Sequence, residues 1–356
     1  MFRLLALLTT GLLITACGDT SPPIVGCESV GDIRPVCGMQ APEDIAALPD
    51  NRHLLLAHFP GMEGGVGSIS LFDTNTETLR TLYPTDAPAG SATAPWGQTD
   101  CTRPPEIFGP HGTHLHQMAD GRWRYLVVNH GEREAIEVFE VIPAGSATSI
   151  EWRGCVIAAE ETFVNDVVGF NNGDIAFTRM LHNGGNIEML QSLVGIPTGD
   201  VWRWSHDGGL RILPGTDASQ PNGLEISADN RFLFANMYME NEVWKINADS
   251  GEVIGRAALK AADNSAWGSD GRLLVASHTG SLLTMVGCLD AHAETCPVAL
   301  EIVALDPQTM ATGVVFSHSG APMGAATVAV PQAGRIYMGS FAGDRLISVP
   351  DFAPAR

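Results

Sequence analysis

Five oxygen-bearing side chains recur at one register of this sequence. Glu43, Asn165, Asn222 and Asp263 each stand seven residues ahead of a short polar turn, and Asn264 follows Asp263 directly. The same count back from two further turns gives Thr113 and Ala326, so five of six equivalent slots hold an oxygen donor. Two carboxylates and three amide carbonyls, with neither sulfur nor imidazole among them, form a hard donor set. Such a set suits Ca²⁺, which takes about 6–8 oxygens in loose geometry.

Two of these residues carry an acidic neighbour: Asp44 follows Glu43, and Asp166 follows Asn165. Successive side chains on an extended strand point to opposite sides. The pairs can therefore serve two ions at different depths, the deeper one taking Asp44, Asp166 and a backbone carbonyl, that of Thr113. Turn capping by Asp44 and Asp166 is the plainer alternative. Histidines supply the second kind of chemistry, in Pro110-His111-Gly112-Thr113-His114-Leu115-His116 and Val127-Val128-Asn129-His130. A neutral imidazole beside an ion-bound ester can activate water as a general base. His114 and His116 lack a carboxylate or cysteine at zinc-ligand spacing and read as surface or packing residues. No Gly-x-Ser-x-Gly elbow, His-Glu-x-x-His or phosphate loop occurs, which disfavours a covalent serine mechanism.

Converging the slots on one site requires a repeated element, and the turns supply it. Asp50-Asn51, Asp120-Gly121, Asn172-Gly173, Asp229-Asn230, Asp270-Gly271 and Ala333-Gly334 each precede a short apolar run. Asp-Gly and Asn-Gly tolerate the positive φ angles of tight hairpins. Six copies, spaced by 41 to 70 residues, match the blade period of a propeller, whereas helical periodicity is nearly absent. The expectation is an all-β, six-bladed β-propeller over residues 40–356, with the slots lining its central tunnel.

The beginning of the chain reads as an export signal. Arg3 precedes an apolar run from Leu4 to Ala16, too short to span a bilayer. Ile14-Thr15-Ala16-Cys17 resembles a lipobox, so residues 1–16 would be removed and Cys17 acylated. Residues 17–39 would then serve as tether and N-terminal segment. The expected product is exported and lipid-anchored to a bacterial cell envelope, touching membrane through that lipid alone. The formal charge is −20, which repels phosphate backbones and argues against nucleic-acid partners. Beyond Cys17 the even set Cys27, Cys37, Cys101, Cys155, Cys288 and Cys296 favours disulfides in an exported chain. Short spacings suggest Cys27–Cys37 and Cys288–Cys296, leaving Cys101 with Cys155.

From about residue 40 onward the chain resembles the paraoxonase/arylesterase family, within the wider group that includes the senescence-marker gluconolactonases. Pro42-Glu43-Asp44-Ile45, Pro110-His111-Gly112, Leu126-Val127-Val128-Asn129-His130, Asn165-Asp166, Asn222-Gly223-Leu224-Glu225-Ile226-Ser227 and Asp263-Asn264 carry the resemblance by their joint order. It implies two tunnel calcium ions. Glu43, Asn165, Asn222, Asp263 and Asn264 would hold the catalytic ion, and Asp44, Asp166 and the Thr113 carbonyl the structural one. His111 and His130 fall on the family's histidine dyad, and the substrates implied are lactones, aryl esters and, in some members, organophosphates. The chain departs from the pattern in its lipid anchor, in the 179–186 loop and in the Cys101 insertion. Its cysteine spacing suggests no disulfide joining the two ends, so the propeller is expected to close by strand pairing alone.

The expected function is therefore calcium-dependent hydrolysis of a small-molecule lactone or aryl ester. The carbonyl would be polarised by the ion, with His111 deprotonating the attacking water and His130 orienting His111. Two rivals stand beside it. One is a single-ion gluconolactonase-like enzyme; the other is a non-catalytic, calcium-clamped propeller that binds a cell-envelope partner.

Overall fold

The polar turns close hairpins because their left-handed residues let the chain reverse in two steps. Asn51 and Asn230 adopt φ of 53° and 59°, and Gly121, Gly173, Gly271 and Gly334 do the same without a side chain to strain. Each hairpin begins a four-stranded antiparallel sheet, and six such sheets are arranged in sequence as blades. The innermost strands are Pro42–Ala47, Pro110–Gln117, Phe163–Gly169, Pro221–Ile226, Ala262–Trp267 and Ala326–Gln332. This computed structural model describes residues 24–352 except 62–63, 86–95, 160–161, 184, 282–283, 286 and 289–294. The signal segment and Cys17 lie outside the described residues.

Burial falls from hub to rim. In blade 1 the second strand, His53–His58, is buried throughout, whereas most of the outer strand, Thr78–Tyr83, is exposed. Blades pack face to face: Leu55, Ile69 and Leu71 of blade 1 meet Tyr125, Val127 and Phe139 of blade 2 in one apolar cluster. Each blade buries both faces in this way, which explains why its strands read as near-continuous apolar runs. Among the described residues no helix is long and apolar enough to cross a membrane. A short helix, α1 (Asn186–Ser192), interrupts blade 3 between its second and third strands.

The ring closes by strand pairing, as expected, with one correction to the boundary. Arg34–Cys37, placed by sequence in the tether, forms the outer strand of blade 6 by pairing with Arg345–Pro350. Without it the Arg345–Pro350 edge would keep a row of open hydrogen-bonding groups. The propeller thus begins before residue 40. The three disulfides are Cys27–Cys37, Cys101–Cys155 and Cys288–Cys296, the pairing that the spacings suggested.

Candidate active site

All six inner strands carry a register shift against their neighbour, at the same level of the tunnel. The shifts fall between Pro42 and Asp44, Pro110 and Thr113, Val164 and Val167, Pro221 and Leu224, Ala262 and Ser265, and Ala326 and Val328. A β-bulge re-aims the side chains it contains. The bulged residues are Glu43, His111-Gly112, Asn165-Asp166, Asn222-Gly223, Asp263-Asn264 and Thr327. Two positions of the inferred ring are therefore corrected. In blade 2 the slot belongs to His111 rather than Thr113, because that inner strand spans eight residues and its turn comes late. In blade 6 it belongs to Thr327, not Ala326, and the Thr327 hydroxyl donates to the Glu43 carbonyl. Gly112 and Gly223 keep the throat narrow, since a Cβ on either would lie about 2.5 Å from backbone of the next blade.

The acidic pairs divide between two cavities at opposite ends of the tunnel. Glu43, His111, Asn165, Asn222 and Asp263 line an upper cavity of about 460 Å³. Asp44, Thr113 and Asp166 line a lower one of about 430 Å³. In the lower set, Asp44 Oδ2 accepts from Thr113 N at 2.6 Å and Thr113 Oγ1 at 2.7 Å. Asp166 Oδ2 accepts from Leu224 N at 2.7 Å, and its Oδ1 from Val167 N at 2.7 Å.

The upper set has a different character. Glu43 Oε2 and the Oδ1 atoms of Asn165, Asn222 and Asn264 are buried and have no hydrogen-bond partner. Buried acceptors left without a donor are costly and rare. Four of them at one place match the donor set of a bound cation. The charge agrees: Glu43, Asp44, Asp166 and Asp263 are all buried. Among the described residues none of the four is paired with Lys or Arg. Burial, then the Asp44 charge, pushes Asp263 up to about 8, against a hydrogen bond from Asn222. Burial also raises Asp44 to about 6, opposed by its Thr113 bonds. Glu43 is driven well up by burial and by Asp44, Asp263 and Asp166, and Asp166 by burial and Asp44. Among the described residues no three His, Cys, Asp or Glu side chains form a ready metal cage. The donor set depends on its amides.

Beside the orphaned oxygens stands the histidine pair. His111 Nδ1 lies 2.9 Å from His130 Nε2, and His130 Nδ1 lies 2.9 Å from Glu134 Oε2. The carboxylate fixes the tautomers in turn. His130 gives its Nδ1–H to Glu134, its Nε2 accepts from His111 Nδ1–H, and His111 Nε2 is left as a free base. That atom lies 3.7 Å from Glu43 Oε1. Burial, then the His130 charge, holds the His111 pKa well below its usual value, so the ring is neutral. Phe59 stacks on His111 at 4.6 Å and Phe163 on His130 at 4.2 Å, which clamps both rings.

Sequence reasoning missed Glu134, which reaches back four residues within a loop and leaves no periodic signal. It also missed Glu225 in the lower cavity, and Tyr238 and His278 in the upper one. The His278 ring, which burial lowers to about 4, bridges the Tyr238 hydroxyl at 3.0 Å and the Ala326 carbonyl at 3.0 Å. His114 and His116 are half-buried lower-cavity residues. His114 Nε2 is 3.6 Å from Glu225 Oε1, and Arg124 Nε donates to His116 Nε2 at 3.2 Å. Replacing Glu134 by Gln should keep the fold but loosen the His130 tautomer. Turnover should fall by about tenfold or more with KM nearly unchanged, measured by steady-state kinetics. Unaltered kcat would remove Glu134 from the relay.

The sequence profile of the arylesterase family matches residues 39–346. This chain belongs to the arylesterase family. Membership makes it a hydrolase of the ester or lactone type. Among solved structures, a luciferin-regenerating enzyme aligns with a TM-score of 0.53 at 11% identity, covering 88% of this chain and 92% of that one. A gluconolactonase from Xanthomonas campestris aligns with a TM-score of 0.50 at 16% identity, covering 93% of this chain and 95% of that one. At these identities the likeness is one of fold. No curated protein matches the arylesterase-family chain by sequence.

Proposed function

We propose that this protein is a calcium-dependent hydrolase of lactones or aryl esters. One observation carries the reading: Glu43, Asn165 and Asn222, each with a buried unpartnered oxygen acceptor, line the same cavity as a neutral imidazole with a free Nε2, and Asn264 adds a fourth such acceptor beside Glu43. Glu43, Asn165, Asn222, Asp263 and Asn264 would hold the catalytic Ca²⁺. Asp44, Asp166 and the Thr113 carbonyl would hold a second, structural one. Bound calcium supplies Lewis-acid polarisation of the ester carbonyl and stabilisation of the oxyanion, worth several kcal/mol.

The chain's own residues do the proton work. His111 Nε2 takes a proton from the water that attacks the carbonyl carbon, and gives it to the departing alcohol oxygen as the acyl C–O bond breaks, releasing acid and alcohol or, from a lactone, one hydroxy acid. His130 receives the His111 Nδ1–H bond and keeps the free nitrogen turned to the cavity, while Glu134 holds His130. Phe59, Phe163, Met189 and Phe341 wall the cavity, exclude bulk water and suit the carbon skeleton of an ester.

The test is hydrolysis of a panel of lactones, aryl esters and phosphotriesters, with calcium and with chelator, beside a calcium count. Calcium-dependent turnover of a lactone or aryl ester, with two ions per chain, is the expected result. A single ion would favour the gluconolactonase-like rival, and full calcium occupancy without turnover the non-catalytic one. Export and acylation at Cys17 belong to the same proposal. Three disulfides suit an oxidising compartment. Mass spectrometry showing an unlipidated Cys17 would sink the anchor.

A further inference from the structure

Every amide in the upper donor set has two faces, and only the carbonyl is of use to a cation. An Asn side chain carries two N–H donors and one oxygen, and its neighbours decide which end points where. Asn264 Nδ2 donates to Glu43 Oε1 at 2.9 Å, and the Asn222 amide stands near enough to the Asp263 carboxylate to lower its pKa. The Asn264 NH₂ group is therefore parked on a carboxylate of the same site, and the Oδ1 atoms of Asn264 and Asn222 are both unpartnered.

Asn165 has no such carboxylate. Its Nδ2 faces the Met180 thioether, 3.8 Å from Sδ, and its Oδ1 is again left unpartnered. Met180 lies on the second strand of blade 3, Ile175–Leu181, beside the inner strand that carries Asn165. It is buried and lines the upper cavity. A thioether accepts hydrogen bonds weakly and donates none, so it can receive the NH₂ group but offers nothing to the carbonyl.

We infer that Met180 is a positioning residue: its sulfur takes the Asn165 amide N–H and so turns the Asn165 carbonyl toward the upper cation position. The inference rests on the calcium reading above and assigns Met180 to the ion, not to the ester. Leu at this position keeps volume and apolarity but removes the acceptor, whereas Gln restores an acceptor at similar reach. A Leu side chain leaves the Asn165 amide free to rotate its NH₂ group toward the cation.

The test is calcium titration of the full chain by calorimetry for wild type, Met180→Leu and Met180→Gln. Thermal melts in chelator verify that all three fold alike. Met180→Leu should weaken one of the two calcium sites by about 3- to 10-fold, the loss expected for one modest hydrogen bond, and leave the other unchanged. Met180→Gln should recover most of that affinity. Turnover of Met180→Leu should return toward wild type as calcium is raised, which loss of an ester contact would not allow. Equal affinities for wild type and Met180→Leu, or equal weakening in the Leu and Gln variants, would overturn the inference. Wild type binding no calcium would overturn the calcium reading, and the inference with it.

Discussion

Replacing Asp263 by Ala should remove the upper calcium and abolish hydrolysis of every ester class together. Asp263 is one of two carboxylates in the upper set, so the change deletes a ligand and half of the compensating charge. His111→Gln should behave differently, because His111 contributes a proton acceptor and no ion ligand. Calcium content should stay at the wild-type value, while turnover falls by about 10²–10⁴-fold, the usual contribution of a positioned general base. The fall should be smaller for aryl esters, whose good leaving groups ask less of the nucleophile, than for unactivated lactones. Metal analysis and a two-substrate kinetic comparison separate the two variants. Activity surviving in Asp263→Ala, or calcium lost from His111→Gln, would show the two roles to be assigned wrongly.

The propeller was legible because its turns are local. Asp-Gly, Asn-Gly and Asp-Asn dictate a chain reversal from two residues, and a fixed count from that reversal reaches the tunnel. The count works for Glu43, Asn165, Asn222 and Asp263, whose inner strands share one length from bulge to turn. It slips in blade 2, where a longer strand moves the slot to His111, and the error is physical: bulges, not turns, set which side chain faces inward. Non-local features left no such mark. Arg34–Cys37 finds its partner at the far end of the chain, and nothing in its own four residues announces a strand. Glu134 and Met180 act only through residues brought beside them by neighbouring loops and strands. The division of Glu43 from Asp44 was readable from strand alternation, yet their pKa shifts depend on how many other carboxylates the ring collects.

That collection of charge leads to the second large effect, on stability. In chelator, stability should fall as pH rises from about 7 to 8.5. Asp263 titrates near 8 in the folded chain, and Glu43 and Asp166 are also held well above their ordinary range, all chiefly by burial. Unfolded Asp and Glu titrate near 4. Above pH 7 the folded state therefore binds more protons than the unfolded one, and the slope of unfolding free energy against pH is negative. Each proton so held costs about 1.4 kcal/mol of stability per pH unit. The buried histidines act in the opposite sense but lower down. Burial depresses His111 and His278, so their contribution rises with pH and is complete once pH passes the unfolded value near 6.5. Carboxylates lowered by arginine partners, such as Glu132 beside Arg103, also gain their contribution below the window, near pH 4. Under the proposed calcium reading, bound ions should reverse the picture by taking the place of the protons. At a hundredfold excess over Kd each ion adds about 2.7 kcal/mol, and the apparent Kd itself tightens as the ligands ionise. The calcium-induced rise in Tm should thus be larger at pH 8.5 than at pH 7, while the saturated protein stays nearly flat across that range. Melts in chelator and in excess calcium at the two pH values decide it. Chelated stability that is level or rising, or a calcium shift equal at both, would mean that the tunnel carboxylates do not need a cation.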